Sequence, residues 1–198
     1  MRQIRELTRA DNEALITIVA DAYPGMSLVT EAERTQFWQR TEQILAETAV
    51  TNWGLFADDV LLGTMRLFDF MMTLYETPVL VGGVGGVAVA LAHKKQKVAR
   101  DMILFFLHRY QEKGAALTAL YPFRPDFYRQ MGFGYGAKMN QYRVKPSSLP
   151  HSGMEEVLFL TDEDRAAVAA CYGRYTTQTH GMFARHAYTW DSLFANPA

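Results

Sequence analysis

The chain has 198 residues, of which 49% are hydrophobic and 21% charged, and its formal net charge is −1. That composition suits one well-buried domain with a smaller second piece, and excludes a disordered chain. The near-neutral balance argues against nucleic acid or a membrane surface as partner, and no apolar run approaches the roughly 18–20 residues of a membrane span.

The N-terminus M-R-Q-I-R-E-L lacks the apolar core of a secretory signal, and the one cysteine, Cys171, excludes an internal disulfide framework and fits a reducing cytoplasm. Cys171 sits in the helical pattern A-A-V-A-A-C-Y and is expected to be a small core residue. Five histidines without close ligand spacing, and no C-x-x-C, argue against a metal site.

In chain order, residues 4–7 read as a short strand. Thr8 opens T-R-A-D, a capping pattern for a helix with Leu15, Ile18, Val19 and Ala22 on one face, stopped by Tyr23-Pro24-Gly25. Thr30 and Glu33 form a capping box ahead of a second helix whose apolar face holds Phe37, Trp38, Thr41, Ile44 and Leu45. Strands are predicted at 51–56 and 61–73, separated by the turn Ala57-Asp58-Asp59, and at 79–90. A helix beginning near Lys97 carries Ala99, Ile103, Phe106, Leu107 and Tyr110 and should end at Gly114. A buried strand at 116–120 and a brief helix at 126–130 follow. Gly132-Phe133-Gly134-Tyr135-Gly136 should then turn into a final strand near 139–144. Residues 146–153 are linker-like; a strand at 155–160 and a helix from about Thr161 lie beyond them.

The richest stretch is 81–100, V-G-G-V-G-G-V-A-V-A-L-A-H-K-K-Q-K-V-A-R. Its G-x-G-x-x-A spacing (Gly83, Gly85, Ala88) matches a dinucleotide fingerprint, but that motif must open a helix immediately, whereas a β-favouring run follows here. The glycines therefore read as a bulged or closely approached part of one strand. The cationic turn His93-Lys94-Lys95-Gln96-Lys97 is the better phosphate site, because unpaired amides and a positive helix terminus would hold a pyrophosphate there. A solvated basic turn is the plain alternative. In F-R-P-D-F-Y-R-Q-M-G-F-G-Y-G, residues 123–136, a short helix carries Tyr128. A phenol of pKa near ~10 can protonate a leaving thiolate whose thiol has a pKa near ~8.5. On the residues alone, Tyr128 could equally be one packed tyrosine among ten.

Together these segments resemble the GNAT superfamily of N-acetyltransferases. Its signature is a V-x-V strand, a cationic turn R/Q-x-x-G-x-G/A, a long helix, and a later x-Y-x-x-x-G-F. The counterparts are Val87-Ala88-Val89, then Lys94-Lys95-Gln96-Lys97-Val98-Ala99, then Phe127-Tyr128-Arg129-Gln130-Met131-Gly132-Phe133. The ending G-F-G-Y-G and the run Q-T-H-G-M-F-A-R at 178–185 resemble one branch, the Eis (enhanced intracellular survival) acetyltransferases.

The resemblance implies an α/β (α+β) GNAT fold: a mixed, mostly antiparallel sheet flanked by helices, with strands splayed into an acetyl-CoA cleft. It implies a GNAT domain at 1–146, with 147–198 a linker and the start of a second GNAT-like domain. Acetyl-CoA would pair with the backbone of Val87, Ala88 and Val89 and rest its pyrophosphate on Lys94, Lys95, Gln96, Lys97, Val98, Ala99 and Arg100. A strand amide near Val87 would stabilise the oxyanion. Tyr128 would be the general acid in direct attack by a primary amine, aminoglycoside-like or lysine-type. Trp38 would line the substrate pocket, or equally belong to the core. The implied protein is cytoplasmic, uses no metal and forms a homo-oligomer in its full-length form. The alternative is a non-catalytic acyl-CoA-binding or regulatory module. Lys97 and Leu91 stand where the family has a turn glycine and a proline, which predicts weaker CoA binding. The family's terminal carboxylate, its base, has no counterpart at Ala198.

Overall fold

Two tight hairpins build the sheet. In the computed structural model, which describes residues 1–26, 28–136, 140–149 and 160–195, strand β2 (Val50–Ala57) turns into β3 (Val60–Leu74) through Asp58 and Asp59 at φ 48° and 64°. β3 turns into β4 (Thr77–Val89) through Tyr75 and Glu76 at φ 45° and 65°. Positive φ at both central residues matches the right-handed twist of the flanking strands. β1 (Arg2–Glu6) adds to the β2 edge and β5 (Leu117–Leu120) to the β4 edge, giving the order β1-β2-β3-β4-β5. The first three pairings are antiparallel and β4–β5 is parallel.

The helices are α1 (Asn12–Ala22), α2 (Glu31–Leu45), α3 (Val98–Glu112), the single turn α4 (Pro125–Arg129), α5 (Arg165–Gln178) and α6 (Ala187–Ala195). Both capping patterns form. The Asp11 carboxylate accepts from the Thr8 backbone and hydroxyl at 2.8 and 2.9 Å, and Thr30 and Glu33 cap each other at 3.3 and 2.8 Å. α3 ends at Gly114 (φ 71°), where Ala115 N–H reaches the Tyr110 carbonyl and Gly114 N–H that of Gln111, a Schellman end.

The main core lies between α3 and the sheet: Val98, Met102, Ile103, Phe106 and Tyr110 against Leu55, Met65, Leu67 and Val84. The buried stripe of α3 thus runs through Val98 and Met102, and Ala99 turns aside toward the preceding turn. On the opposite face, Ile18 of α1 covers Phe56, Leu61 and Ala88. The glycines of β4 are close-approach positions, as expected from their strand context. A Cβ on Gly82 would lie 2.3 Å from the Tyr110 ring, and one on Gly83 2.3 Å from Phe70. Gly86 (φ 57°) sits where the β3–β4 register slips, Thr64 opposing Ala88 and Arg66 opposing Gly85. This is a bulge in β4.

Two expectations change, and a third lies almost wholly outside the described residues. The final strand does not form over 140–144, where Tyr142 and Val144 are exposed; Met139 lies outside the described residues. Alternation alone makes no strand without an edge to pair with. Of the strand expected at 155–160, only Leu160 is described, and it is exposed and unpaired. Cys171 is exposed, because α5 is covered on one side only and buries a single residue, Thr176. The following segment docks on the far end of β3. Gly181 N–H donates to Thr73, Thr73 N–H to Met182 and Ala184 N–H to Met71, at 2.8–2.9 Å, with Phe183 bridging Met72.

Candidate active site

β5 pairs with β4 only over Val81, Gly82, Gly83 and Val84, so residues 85–89 face an open edge on that side. This is the splay, and the bulge lies within it. The Val87 carbonyl, turned out of the ladder, accepts the Tyr23 hydroxyl at 3.2 Å. Tyr23 was legible in the sequence only as a helix stop. Its tertiary role arises because α1 crosses β4.

At the end of β4 the chain makes a short 3-10 turn (Leu91–His93) and enters α3. A cavity of about 330 Å³ opens here, lined by Val89, His93, Lys94, Lys95, Lys97, Val98, Ala99, Arg100 and Phe127. Seven of the ten residues expected to touch the cofactor therefore meet in one cavity. Among the described residues, the amides of Lys95, Lys97, Val98, Ala99 and Arg100 make no backbone hydrogen bond, as befits a helix start. Among the described residues, Lys94, Lys95, Lys97 and Arg100 form no ion pair. Free amides, four uncompensated cations and a positive helix end fit a pyrophosphate.

Lys97 occupies the position where a glycine was expected, and its backbone is left-handed at φ 63°, ψ 11°; Lys95 is also at φ 66°. The turn keeps the glycine-type conformation with lysine in it. Gln96 does not line the cavity. Its side chain meets His93 Nδ1 at 3.2 Å and the Ala92 carbonyl at 3.4 Å, and its own carbonyl accepts from Arg2 at 2.9 Å. Arg2 also pairs with Asp101 at 2.7 Å, so β1 braces the turn from outside. Val87 and Ala88 lie in the splay, Val87 half-buried and Ala88 buried beneath α1.

Tyr128 is buried to 5% exposure, held edge-on among Phe123, Phe127 and Phe133. Phe127 beside it lines the cationic cavity. The Tyr128 hydroxyl makes no hydrogen bond among the described residues. Burial pushes its pKa above the ordinary tyrosine value, and the neighbouring Tyr23 phenol adds to the rise. A phenol so placed stays protonated at neutral pH with its proton uncommitted. Trp38 lies elsewhere: it stacks edge-on with Phe37 at 5.4 Å against Leu15, Ile16, Val19 and Leu28. It lines neither the cationic cavity nor the second one described below. Among the described residues no group of three His, Cys, Asp or Glu could hold a metal ion.

Residues 3–136 match the family described as "Acetyltransferase (GNAT) domain". The N-acetyltransferase Eis of Mycobacterium tuberculosis is 25% identical over 193 residues, covering 88% of this chain and 48% of that protein. The chain thus spans about half the length of the curated relatives it matches. Among solved structures, a transcriptional regulator from Bacillus halodurans superposes with a TM-score of 0.64 at 18% identity, over 73% of this chain and all of that one. A predicted acetyltransferase with acetyl-CoA from Clostridium acetobutylicum gives 0.56 at 13% identity, over 76% of this chain and all of that one. These likenesses establish the fold, a mixed, mostly antiparallel sheet flanked by helices. With the family match extending over two-thirds of its length, the chain belongs to the GNAT acetyltransferase domain family, whose members use acetyl-CoA.

Proposed function

We propose that this chain transfers the acetyl group of acetyl-CoA to a primary amine by direct attack, with Tyr128 as the general acid. The observation that carries the reading is the buried, uncommitted Tyr128 hydroxyl beside the splayed, bulged stretch of β4. The open edge at Val87, Ala88 and Val89 would pair with the pantetheine. Lys94, Lys95, Lys97 and Arg100, with the free amides of the α3 start, would hold the pyrophosphate; Gln96 would shape the turn. The amine nitrogen bonds to the thioester carbon, and an amide near Val87 stabilises the oxyanion. The C–S bond then breaks and Tyr128 gives its proton to the departing sulfur. The amine loses a proton to water or a base.

By resemblance to the Eis relatives, residues 1–146 form the catalytic GNAT domain and 147–198 a linker and the start of a second. The same likeness suggests a homo-oligomer in the cytoplasm; the Trp38 it would assign to the acceptor site packs against Phe37 and the α1 core. The non-catalytic reading drew on Lys97. Since Lys97 adopts the glycine-type backbone, that observation no longer favours it.

The test is thiol release from acetyl-CoA with a panel of amines. Tyr128→Phe should lower kcat by about 10²–10⁴-fold and leave CoA binding intact. Full activity in the phenylalanine variant would remove Tyr128 from the mechanism.

A further inference from the structure

A second cavity, of about 460 Å³, lies on the sheet face opposite α3. Its floor is Phe68 and Phe70 of β3, stacked at 5.3 Å, with Val84 and Leu120 at the start of the splay. Its roof is the C-terminal segment, where Phe183 and His186 pack on the Phe70 ring at 5.6 and 5.5 Å. Arg185 also lines it, lying 4.0 Å over Tyr172 and 4.9 Å over Trp190. No aspartate or glutamate is among its lining residues. The buried Nε2 of His186 has no hydrogen-bond partner among the described residues.

Alternation along β3 puts Arg66 on the same face as Phe68 and Phe70. It stands between Leu61, covered by α1, and Phe70, covered by the C-terminal segment. It opposes Gly85 at the β4 bulge, and its Cβ is 4.0 Å from where a Gly86 Cβ would stand. The half-buried Arg66 donates through Nε to Asn52 at 2.9 Å, and its two terminal nitrogens have no partner among the described residues. Burial lowers its pKa, and the nearby Tyr188 phenol partly offsets that. Glu47 accepts instead from the Tyr188 backbone N–H at 3.3 Å. Neither terminal nitrogen is among the buried unsatisfied atoms, so the free fork reaches solvent and is open to an anionic ligand.

We infer that the acceptor amine carries an anionic group, a carboxylate or a phosphate, which Arg66 grips beside the β4 bulge while the aromatic cavity takes the apolar remainder. The inference deepens the acetyl-transfer reading and rests on it. A guanidinium fork matches either anion with two parallel hydrogen bonds. Arg185 lines the cavity without a carboxylate, and Arg66 lies outside its lining on the same sheet face toward the bulge; this positive pair repels a polycation, so an aminoglycoside-like acceptor fits poorly.

The experiment measures kcat/KM at saturating acetyl-CoA for phenylalanine, phosphoethanolamine, phenylalaninamide and kanamycin. In parallel, calorimetry measures binding of the same four amines to the CoA-loaded protein. An anionic amine should exceed phenylalaninamide by on the order of 10–100-fold, with kanamycin no better than the amide. Preference for phenylalanine identifies a carboxylate, and preference for phosphoethanolamine a phosphate. Arg66→Gln should abolish the preference and Arg66→Lys restore part of it; the wild-type comparison stands even if a variant misfolds. Turnover with no preference for the anionic amines overturns the inference and leaves acetyl transfer intact. An Arg66-dependent binding preference without turnover supports the anion site and counts against the transfer reading. No preference in either measurement overturns the inference.

Discussion

At the scale of single residues, Lys97 and Tyr128 decide most. A non-glycine residue held at positive φ costs roughly 1–2 kcal/mol, and Lys97 bears that cost at the point where α3 begins. Lys97→Gly should therefore stabilise the fold by about 1 kcal/mol, raising Tm by about 2–4 °C in thermal unfolding. Lys97→Ala keeps the strained backbone and loses the charge, so its CoA affinity should fall, most clearly at low ionic strength. An unchanged Tm in Lys97→Gly would show that the strain is absorbed elsewhere. Tyr128 has its pKa raised, so it holds its proton through neutral pH and loses it only as pH climbs beyond the ordinary tyrosine value. The basic limb of kcat/KM should accordingly lie above about pH 10 and vanish in Tyr128→Phe. Sequence showed Tyr128 only as a candidate; its burial among three phenylalanines and its uncommitted proton required the fold.

At the scale of elements, β4 is the strand around which the site is built. Gly82 exists to admit Tyr110, whose hydroxyl is pinned to Asp69 at 2.6 Å while Lys113 holds the other carboxylate oxygen at 2.6 Å. The ring cannot swing away without breaking that bond. Gly82→Ala should then cost about 1–3 kcal/mol, read as a lower urea midpoint at constant m-value. It should also loosen the start of α3 less than its end, where Tyr110 sits. The strand, the helix and the cationic turn between them were legible because periodicity switches sharply from 2 to 3.6 across residues 90–98. The expected strand at 139–144 was misread because alternation states which side chains share a face, and a strand also needs a neighbour with a free edge. Cys171 was misplaced for a related reason: an alanine-rich helix looks buried until its packing partners are known.

At the scale of the molecule, the two cavities lie on either side of one splay. The cationic one borders the α3 start, and the aromatic one lies under the C-terminal segment on the opposite face. A donor bound from one side and an acceptor from the other would meet at the β4 bulge, between Val87 and Arg66. Ligand binding to the folded state alone predicts that acetyl-CoA at 100 times its Kd stabilises the protein by about 2.7 kcal/mol, or roughly 5–10 °C in Tm. NAD should give no shift, because the glycines of its apparent fingerprint lie within β4 and do not open a helix. Equal stabilisation by NAD would overturn the assignment of the cationic turn.

The sequence by itself determined most of the local elements in chain order, both capping boxes and the cationic turn into α3, because each depends on neighbours within a few residues. It also carried the family, through two motifs some thirty residues apart. Only the tertiary structure decided how Lys97 fills a glycine's place and which hydroxyl meets Val87. It alone set Arg66, whose terminal nitrogens have no partner among the described residues, between α1 and the C-terminal segment. Those facts depend on contacts between residues distant in the chain. A strand pattern tells which residues share a face, and only packing tells what covers that face or leaves a charge there unanswered.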